Sequence, residues 1–268
     1  MPDTPDPTAW QPVTWRPLAA RLDAEVAGDD GARRLVFAHG FTQTGNSWKP
    51  LAEQFVHRGF QCVVVDLPGH GGSATVRADL RRSADMVATI GAKATYVGYS
   101  LGGRTVLHAA LMYPNLVQRL VLIGANPGID DDDERARRRE SDDALVRHME
   151  DTGVEAFLRE WVALPLFGGM ALSPTDFADR LRNTVEGLSS SLRMAGTGAQ
   201  GSLWPRLREL NMPVLAMAGE LDTKFAAIAQ QIATMAPRAR AVLVPGAAHA
   251  AHLQQPDAVV SVIDAFVA

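Results

Sequence analysis

Apolar residues along the chain fall into two alternating kinds of run. Leu35-Val36-Phe37-Ala38, Gln61-Cys62-Val63-Val64-Val65-Asp66, Thr95-Tyr96-Val97, Leu120-Val121-Leu122-Ile123, Pro213 to Ala218 and Ala241-Val242-Leu243-Val244 are short and apolar on both faces. That is the pattern of strands covered on both sides. Between them lie stretches of helical period. Ser47 is placed to cap a helix through Phe55, with Trp48, Leu51 and Phe55 on one face. Leu80 to Ile90, the stretch through Tyr113 and Asp257 to Val267 follow the same rule. Strands alternating with helices predict an α/β fold: a mostly parallel central sheet with helices on both faces. The alternation breaks after Gly124. From Asn126-Pro127-Gly128 to about Leu210 the pattern is helical, charged and interrupted by Gly and Pro. The expected organisation is a core first half over 1–125, a helical cap over 126–210 and a core second half over 211–268. Residues 1–12, acidic and Pro-rich, read as a flexible tail. Residues 13–34 read as one or two short strands interrupted by Pro17, with a turn at Gly28-Asp29-Asp30-Gly31.

Composition narrows the function classes. With 268 residues, 47% hydrophobic and 21% charged, the chain can bury a full core. A net charge of −4 argues against a nucleic-acid or anionic-membrane binder. Cys62 is the only cysteine, which leaves no intrachain disulfide and no cysteine-built metal site. The N-terminus lacks the pattern of a signal peptide, and no apolar run approaches the roughly 18 residues of a membrane span. The expectation is a cytoplasmic enzyme with no cofactor, no metal and no evident obligate protein partner.

The candidate chemistry centres on Gly98-Tyr99-Ser100-Leu101-Gly102-Gly103, set between a strand run and a helix run. This is the context of a G-x-S-x-G elbow, where a serine occupies a sharp strand-to-helix turn. A serine hydroxyl is weak until a histidine accepts its proton and a carboxylate orients that histidine. Asp222 follows the strand run ending at Ala218, and His249 follows the last strand run, so order and placement both suit a triad of Ser100, Asp222 and His249. Each partner has a plainer reading. Asp222 can cap the helix that starts near Phe225, Glu220 is a rival carboxylate, and His252 is a rival base one helical turn on. His39-Gly40-Phe41 follows the first core strand run, and the Phe41 and Leu101 amides are the candidate oxyanion donors.

Arg104 lies one turn beyond Ser100 on the crevice side of the elbow helix. A guanidinium beside a reacting centre is costly to bury without an anion, and its planar fork suits a carboxylate. The alternatives are an acidic substrate and a salt bridge to the chain's own acid. In the cap, Asp130 to Glu134 precede Arg135, Arg137, Arg138 and Arg139. Acids first and bases later complement a helix dipole, yet one arginine of the set should face the crevice. Trp161 and Arg182 are further cap candidates that composition does not place. There is no metal-ligand spacing, P-loop or G-x-G-x-x-G.

These residues together resemble the α/β-hydrolase-fold 2-succinyl-6-hydroxy-2,4-cyclohexadiene-1-carboxylate (SHCHC) synthases of menaquinone biosynthesis. The resemblance runs from residue 35 to the C-terminus. It includes His39-Gly40-Phe41-Thr42, Asp66-Leu67-Pro68-Gly69-His70-Gly71 and Gly98 to Arg104. More specific are Asn126-Pro127-Gly128, the Glu134 to Asp142 run, Trp161 with Pro165-Leu166-Phe167, Ser191-Leu192-Arg193 with Gly196-Thr197-Gly198, and Gly219 to Phe225. It implies a carbon–oxygen lyase that eliminates pyruvate from 2-succinyl-5-enolpyruvyl-6-hydroxy-3-cyclohexene-1-carboxylate. Ser100 would act as a base with His249 and Asp222. Arg104, Arg138 and Arg182 would bind a tricarboxylate substrate, with Tyr99, Trp161 and His39 also at the site. Which of Arg135, Arg138 and Arg139 faces inward rests on the resemblance alone. Ala248 and Ala38 depart from the glycine and leucine usual at their positions. The same triad also serves a serine hydrolase acting on a small acidic substrate, with Ser100 as nucleophile, and the fold is used by ligand receptors.

Overall fold

The computed structural model describes residues 6–13 and 22–268. In chain order the elements are β1 (Gln11–Pro12), β2 (Ala24–Ala27), β3 (Arg34–Ala38), α1 (Lys49–Val56), β4 (Gln61–Val65), α2 (Leu80–Gly91), β5 (Ala94–Tyr99), α3 (Leu101–Met112) and β6 (Val117–Ile123). Then come α4 (Asp132–Thr152), α5 (Val154–Val162), α6 (Pro174–Arg180), α7 (Val185–Ala195), β7 (Val214–Gly219), α8 (Thr223–Met235), β8 (Ala239–Val244), α9 (Ala251–Gln254) and α10 (Pro256–Val267). The strands form one sheet in the order β1-β2-β4-β3-β5-β6-β7-β8. β3 to β8 are parallel, and β1 and β2 add antiparallel at the β4 edge.

The strand period of two divides the core between the two faces. Val36, Val63, Tyr96, Leu120, Leu122 and Val214 pack on one side. Leu35, Phe37, Cys62, Val64, Val97, Val121 and Leu215 pack on the other. Each register position feeds one layer, so a one-residue slip would exchange the layers. β3 lies between β4 and β5 in the sheet although β4 follows it in the chain. Strand order therefore reverses at β3/β5, and the crevice beyond their carboxyl ends is where such sheets bind ligands.

Several local expectations are corrected. Ser47 does not cap α1: Thr44 caps a short 3-10 turn over Gly45–Trp48 that leads into the helix, and the Ser47 hydroxyl donates to the Thr44 carbonyl at 2.8 Å. The predicted tail is in part a strand. Gln11 and Pro12 pair with Val26 and Glu25, and Trp10 Nε1 donates to Glu53 at 3.3 Å. Residues 1–5 and Pro17 lie outside the described residues. β8 is only half-buried because it forms the sheet edge. β6 and β7 are sheet neighbours, and the chain between them runs through α4 to α7 and 3-10 turns with no strand. No helix of the described residues is long and apolar enough to cross a membrane.

Candidate active site

β5 ends at Tyr99 and α3 begins at Leu101, so Ser100 alone makes the turn, at φ 49° and ψ −108°. The bend needs small neighbours. A Cβ on Gly98 would meet the Gly102 carbonyl oxygen at 2.5 Å, and one on Gly102 would meet the Ala38 oxygen at 2.0 Å. A positive φ at a non-glycine residue marks strain that the surrounding structure must hold.

His249 Nδ1 lies 2.7 Å from Asp222 Oδ2, and His249 Nε2 lies 3.4 Å from Ser100 Oγ. The contact to serine is long, as catalytic hydrogen bonds often are before substrate binds. Asp222 fills both roles considered for it: Oδ2 meets His249 while Oδ1 accepts the Phe225 N–H at 3.3 Å as the cap of α8. One carboxylate thus ties the histidine to a helix start. Gly124, at φ 56°, leaves room for the imidazole, whose Cε1 would lie 3.0 Å from a Cβ there.

The rivals are occupied elsewhere. Glu220 accepts the Gly246 N–H at 3.2 Å and is exposed. His252 is buried between Trp48 and Tyr99, with ring centroids 4.4 and 4.3 Å away, and burial pushes its pKa down to about 3. His39, expected at the site, does not reach the pocket. Its Nδ1 faces the Gly40 carbonyl at 2.8 Å and its Nε2 accepts the Leu67 N–H at 3.0 Å. Those partners require the proton on Nδ1, and burial lowers its pKa to about 4. His39 is a neutral tie between two loops.

A pocket of about 210 Å³ opens over Ser100 and His249. The sheet side supplies Phe41, Tyr99, Leu101 and Phe225, and the helical segment supplies Trp161, Leu166, Phe167, Ser191 and Leu192. Phe41 and Leu101, whose amides are the candidate oxyanion donors, both line this pocket with Ser100. Among the described residues, neither amide donates to a protein acceptor.

Three cations line this pocket: Arg104, Arg138 and Lys224. Arg104 is 7% exposed and has no carboxylate within ion-pair distance among the described residues. It donates to the Ala195 carbonyl at 2.6 Å and to Gln200 Oε1 at 3.3 Å. Arg104 makes no direct salt bridge, although the buried Asp142, which holds Arg138, attracts it at longer range. Burial, with Arg138 nearby, brings the Arg104 pKa down to about 10, still a cation at neutral pH. Arg138 is oriented by the buried Asp142, to which its Nε donates at 2.8 Å. Arg139 instead donates to the Gly198 carbonyl and Arg135 to the Ile129 carbonyl. Helix rotation thus selects Arg138.

The structure does not bring Arg182 to the pocket. It is half-exposed, 3.0 Å from Asp179 and 3.8 Å from Asp66. Lys224 is the pocket cation that sequence reasoning missed. Its signal was its place two residues after Asp222, at the start of α8. Among the described residues no three His, Cys, Asp or Glu side chains converge to hold a metal ion.

A serine on a strand-to-helix elbow, with Asp and His beyond later strands of an ordered parallel sheet, defines a class. The chain belongs to the alpha/beta hydrolase family, whose model matches residues 35–262. A Bacillus subtilis protein provisionally named 2-succinyl-6-hydroxy-2,4-cyclohexadiene-1-carboxylate synthase is 36% identical over 85% of this chain and 88% of its own length. A Salmonella paratyphi C protein of the same name is 34% identical over 88% of this chain and 94% of its own. The solved structure of MenH from S. aureus superposes with a TM-score of 0.85 at 29% identity, covering 91% of this chain and 97% of that one. Within the family, the chain's place is with the SHCHC synthases.

Proposed function

We propose that this chain is a pyruvate-eliminating SHCHC synthase, with Ser100, His249 and Asp222 as its proton-handling triad and the region over residues 126–210 as a cap on the site. The observation that carries the reading is Arg104: a buried guanidinium one turn from Ser100, without a carboxylate partner among the described residues, in a pocket that also holds Arg138 and Lys224. Such a site pairs with an anionic substrate, because Arg104, Arg138 and Lys224 share one buried carboxylate, Asp142, and the excess positive charge is otherwise expensive. A tricarboxylate offers an anion to each cation.

In 2-succinyl-5-enolpyruvyl-6-hydroxy-3-cyclohexene-1-carboxylate, the ring carbon bearing the succinyl ketone is the acidic position, since charge formed there spreads to the ketone oxygen. Ser100 Oγ takes that proton while His249 holds the hydroxyl proton, and Asp222 fixes the imidazole orientation. The Phe41 and Leu101 N–H groups receive the ketone oxygen as its charge grows. The new ring double bond forms, the existing one shifts, and the bond to the enolpyruvyl oxygen breaks to release pyruvate as its enolate. No acyl-enzyme forms.

The serine-hydrolase alternative would use Ser100 as nucleophile on an ester, with the same amides. The two readings part in one assay. The protein is incubated with the enolpyruvyl cyclohexene and pyruvate release is followed, beside a panel of aryl esters. Pyruvate release is expected. Ester turnover without it would overturn the synthase reading.

A further inference from the structure

Thr42, next to Phe41, is held at φ 69°. A β-branched residue there is a true outlier, because its side chain crowds its own backbone. Thr42 is the third residue of a turn closed by the Gln43 N–H on the Gly40 carbonyl at 3.1 Å. A positive φ at that position is what glycine or asparagine normally provides. Threonine stays only if the surroundings hold it.

All of its polar groups are held. The Thr42 N–H donates to His70 Nε2 at 3.3 Å. Its carbonyl accepts from Asn183 Nδ2 at 2.8 Å, and its hydroxyl accepts from Arg180 at 2.6 Å. Two of these three partners come from the chain between β6 and β7. Arg180 is 6% exposed, and among the described residues no carboxylate lies within ion-pair distance of it. Burying a guanidinium against a hydroxyl is a poor way to gain stability. Asn183 also accepts the Gly71 N–H at 3.0 Å and donates to the Arg180 carbonyl at 2.9 Å. The neighbouring Asp179 accepts from Thr44 at 2.5 Å and Asn46 at 2.6 Å. Residues 179–183 therefore grip the loop 42–46 at several points.

We infer that Arg180 and Asn183 are positioning residues: by holding Thr42 in its left-handed turn they aim the Phe41 amide into the pocket, so this oxyanion donor is assembled only while 179–183 is seated on the loop. Phe41 and Thr42 share one four-residue turn, so a relaxed Thr42 rotates the peptide joining them and redirects its neighbours. The inference rests on the oxyanion role proposed above for the Phe41 amide. It gives residues 179–183 a part in catalysis that needs no contact with substrate.

The test compares Arg180→Ala, Asn183→Ala and the double variant Arg180→Ala/Thr42→Gly. Two readouts are taken: pyruvate release, and the rate at which a fluorophosphonate labels Ser100, followed by intact mass. Arg180→Ala should lower kcat and the labelling rate by about 10- to 100-fold, less than the roughly 10²- to 10³-fold that removing one oxyanion donor outright costs, with KM changed less than about 2-fold. Glycine adopts the required φ unaided, so the double variant should recover most of the labelling rate. Wild-type labelling by Arg180→Ala, a loss confined to KM, or no recovery in the double variant would each overturn the inference. If Arg180→Ala loses its cooperative melting transition, Asn183→Ala takes its place, with the same expected losses and the same overturning results. A wild-type enzyme that releases no pyruvate, yet labels at an Arg180-dependent rate, would sink the substrate reading and leave this inference standing.

Discussion

The pocket has two walls of different kinds. The wall at the sheet's carboxyl edge carries Ser100, His249, Phe41 and Leu101, with Asp222 behind His249, each within a few residues of a strand end. Strand register sets these positions, and neighbouring small residues leave few other conformations open. The opposite wall is built from helices and turns between β6 and β7. There, side chains one or two residues apart have unrelated surroundings. Arg138 lines the pocket while Arg139 bonds to Gly198, and Arg180 is buried under Thr42 while Arg182 meets Asp179 near the surface. A strand end fixes a residue through covalent continuity with a sheet. A helix face is fixed only by packing, and a rotation of about 100° per residue changes everything a side chain touches.

The largest effect should fall on the sheet-edge wall. Ser100→Ala should cut the kcat of pyruvate release by at least about 10³-fold, measured in a coupled pyruvate assay. A residual rate within about 10-fold of wild type would dissolve the proposed division of roles. Arg104→Ala should lower kcat/KM by about 10²-fold, in the range of a lost charge-assisted hydrogen bond. A neutral aryl ester used as control should lose far less. Lys224→Ala should raise KM about 10-fold with little change in kcat, as for a lost uniform binding contact; an unchanged KM would remove it from the anion-binding set. Arg182→Ala should change kcat/KM by less than about 2-fold, because exposed ion pairs contribute little. A loss equal to that of Arg104→Ala would return Arg182 to the site and blur the contrast between the walls.

The smallest and most general expectation concerns acid. Burial holds the folded-state pKa of His39 at about 4, against an ordinary 6.5, and that of His70 at about 3. Between those values the unfolded chain binds more protons than the folded one. The stability these histidines contribute is therefore whole above about pH 6.5 and drains away as pH falls towards and through about 4. Thermal unfolding should show Tm falling over that window. In His39→Gln, whose amide oxygen can still accept the Leu67 N–H, the fall should be shallower; an unchanged slope would assign the acid sensitivity elsewhere.

Much of this was legible in the residues alone. Both-face apolar runs located β3 to β7, and the elbow, Asp222 and His249 could be named because each stands just past such a run. The place of His39 is not legible, because a loop histidine beside a glycine looks the same in sequence whether its ring faces substrate or, as here, a neighbouring loop's amide. Thr42 carried no signal, since no sequence pattern predicts threonine at a positive φ. Arg182 was a matter of two positions on a short helical stretch.

The sequence by itself determined the α/β alternation, the serine elbow, the chain order of Ser100, Asp222 and His249 and the presence of many arginines in the segment after β6, because local period and strand-end placement are properties of neighbouring residues. Only the tertiary structure decided that Arg104 lacks a carboxylate partner among the described residues, that Lys224 joins it, and that Arg180 rather than Arg182 turns inward. Those facts depend on how α3, α8 and residues 126–210 pack around the sheet edge, which is settled by contacts between residues far apart in the chain.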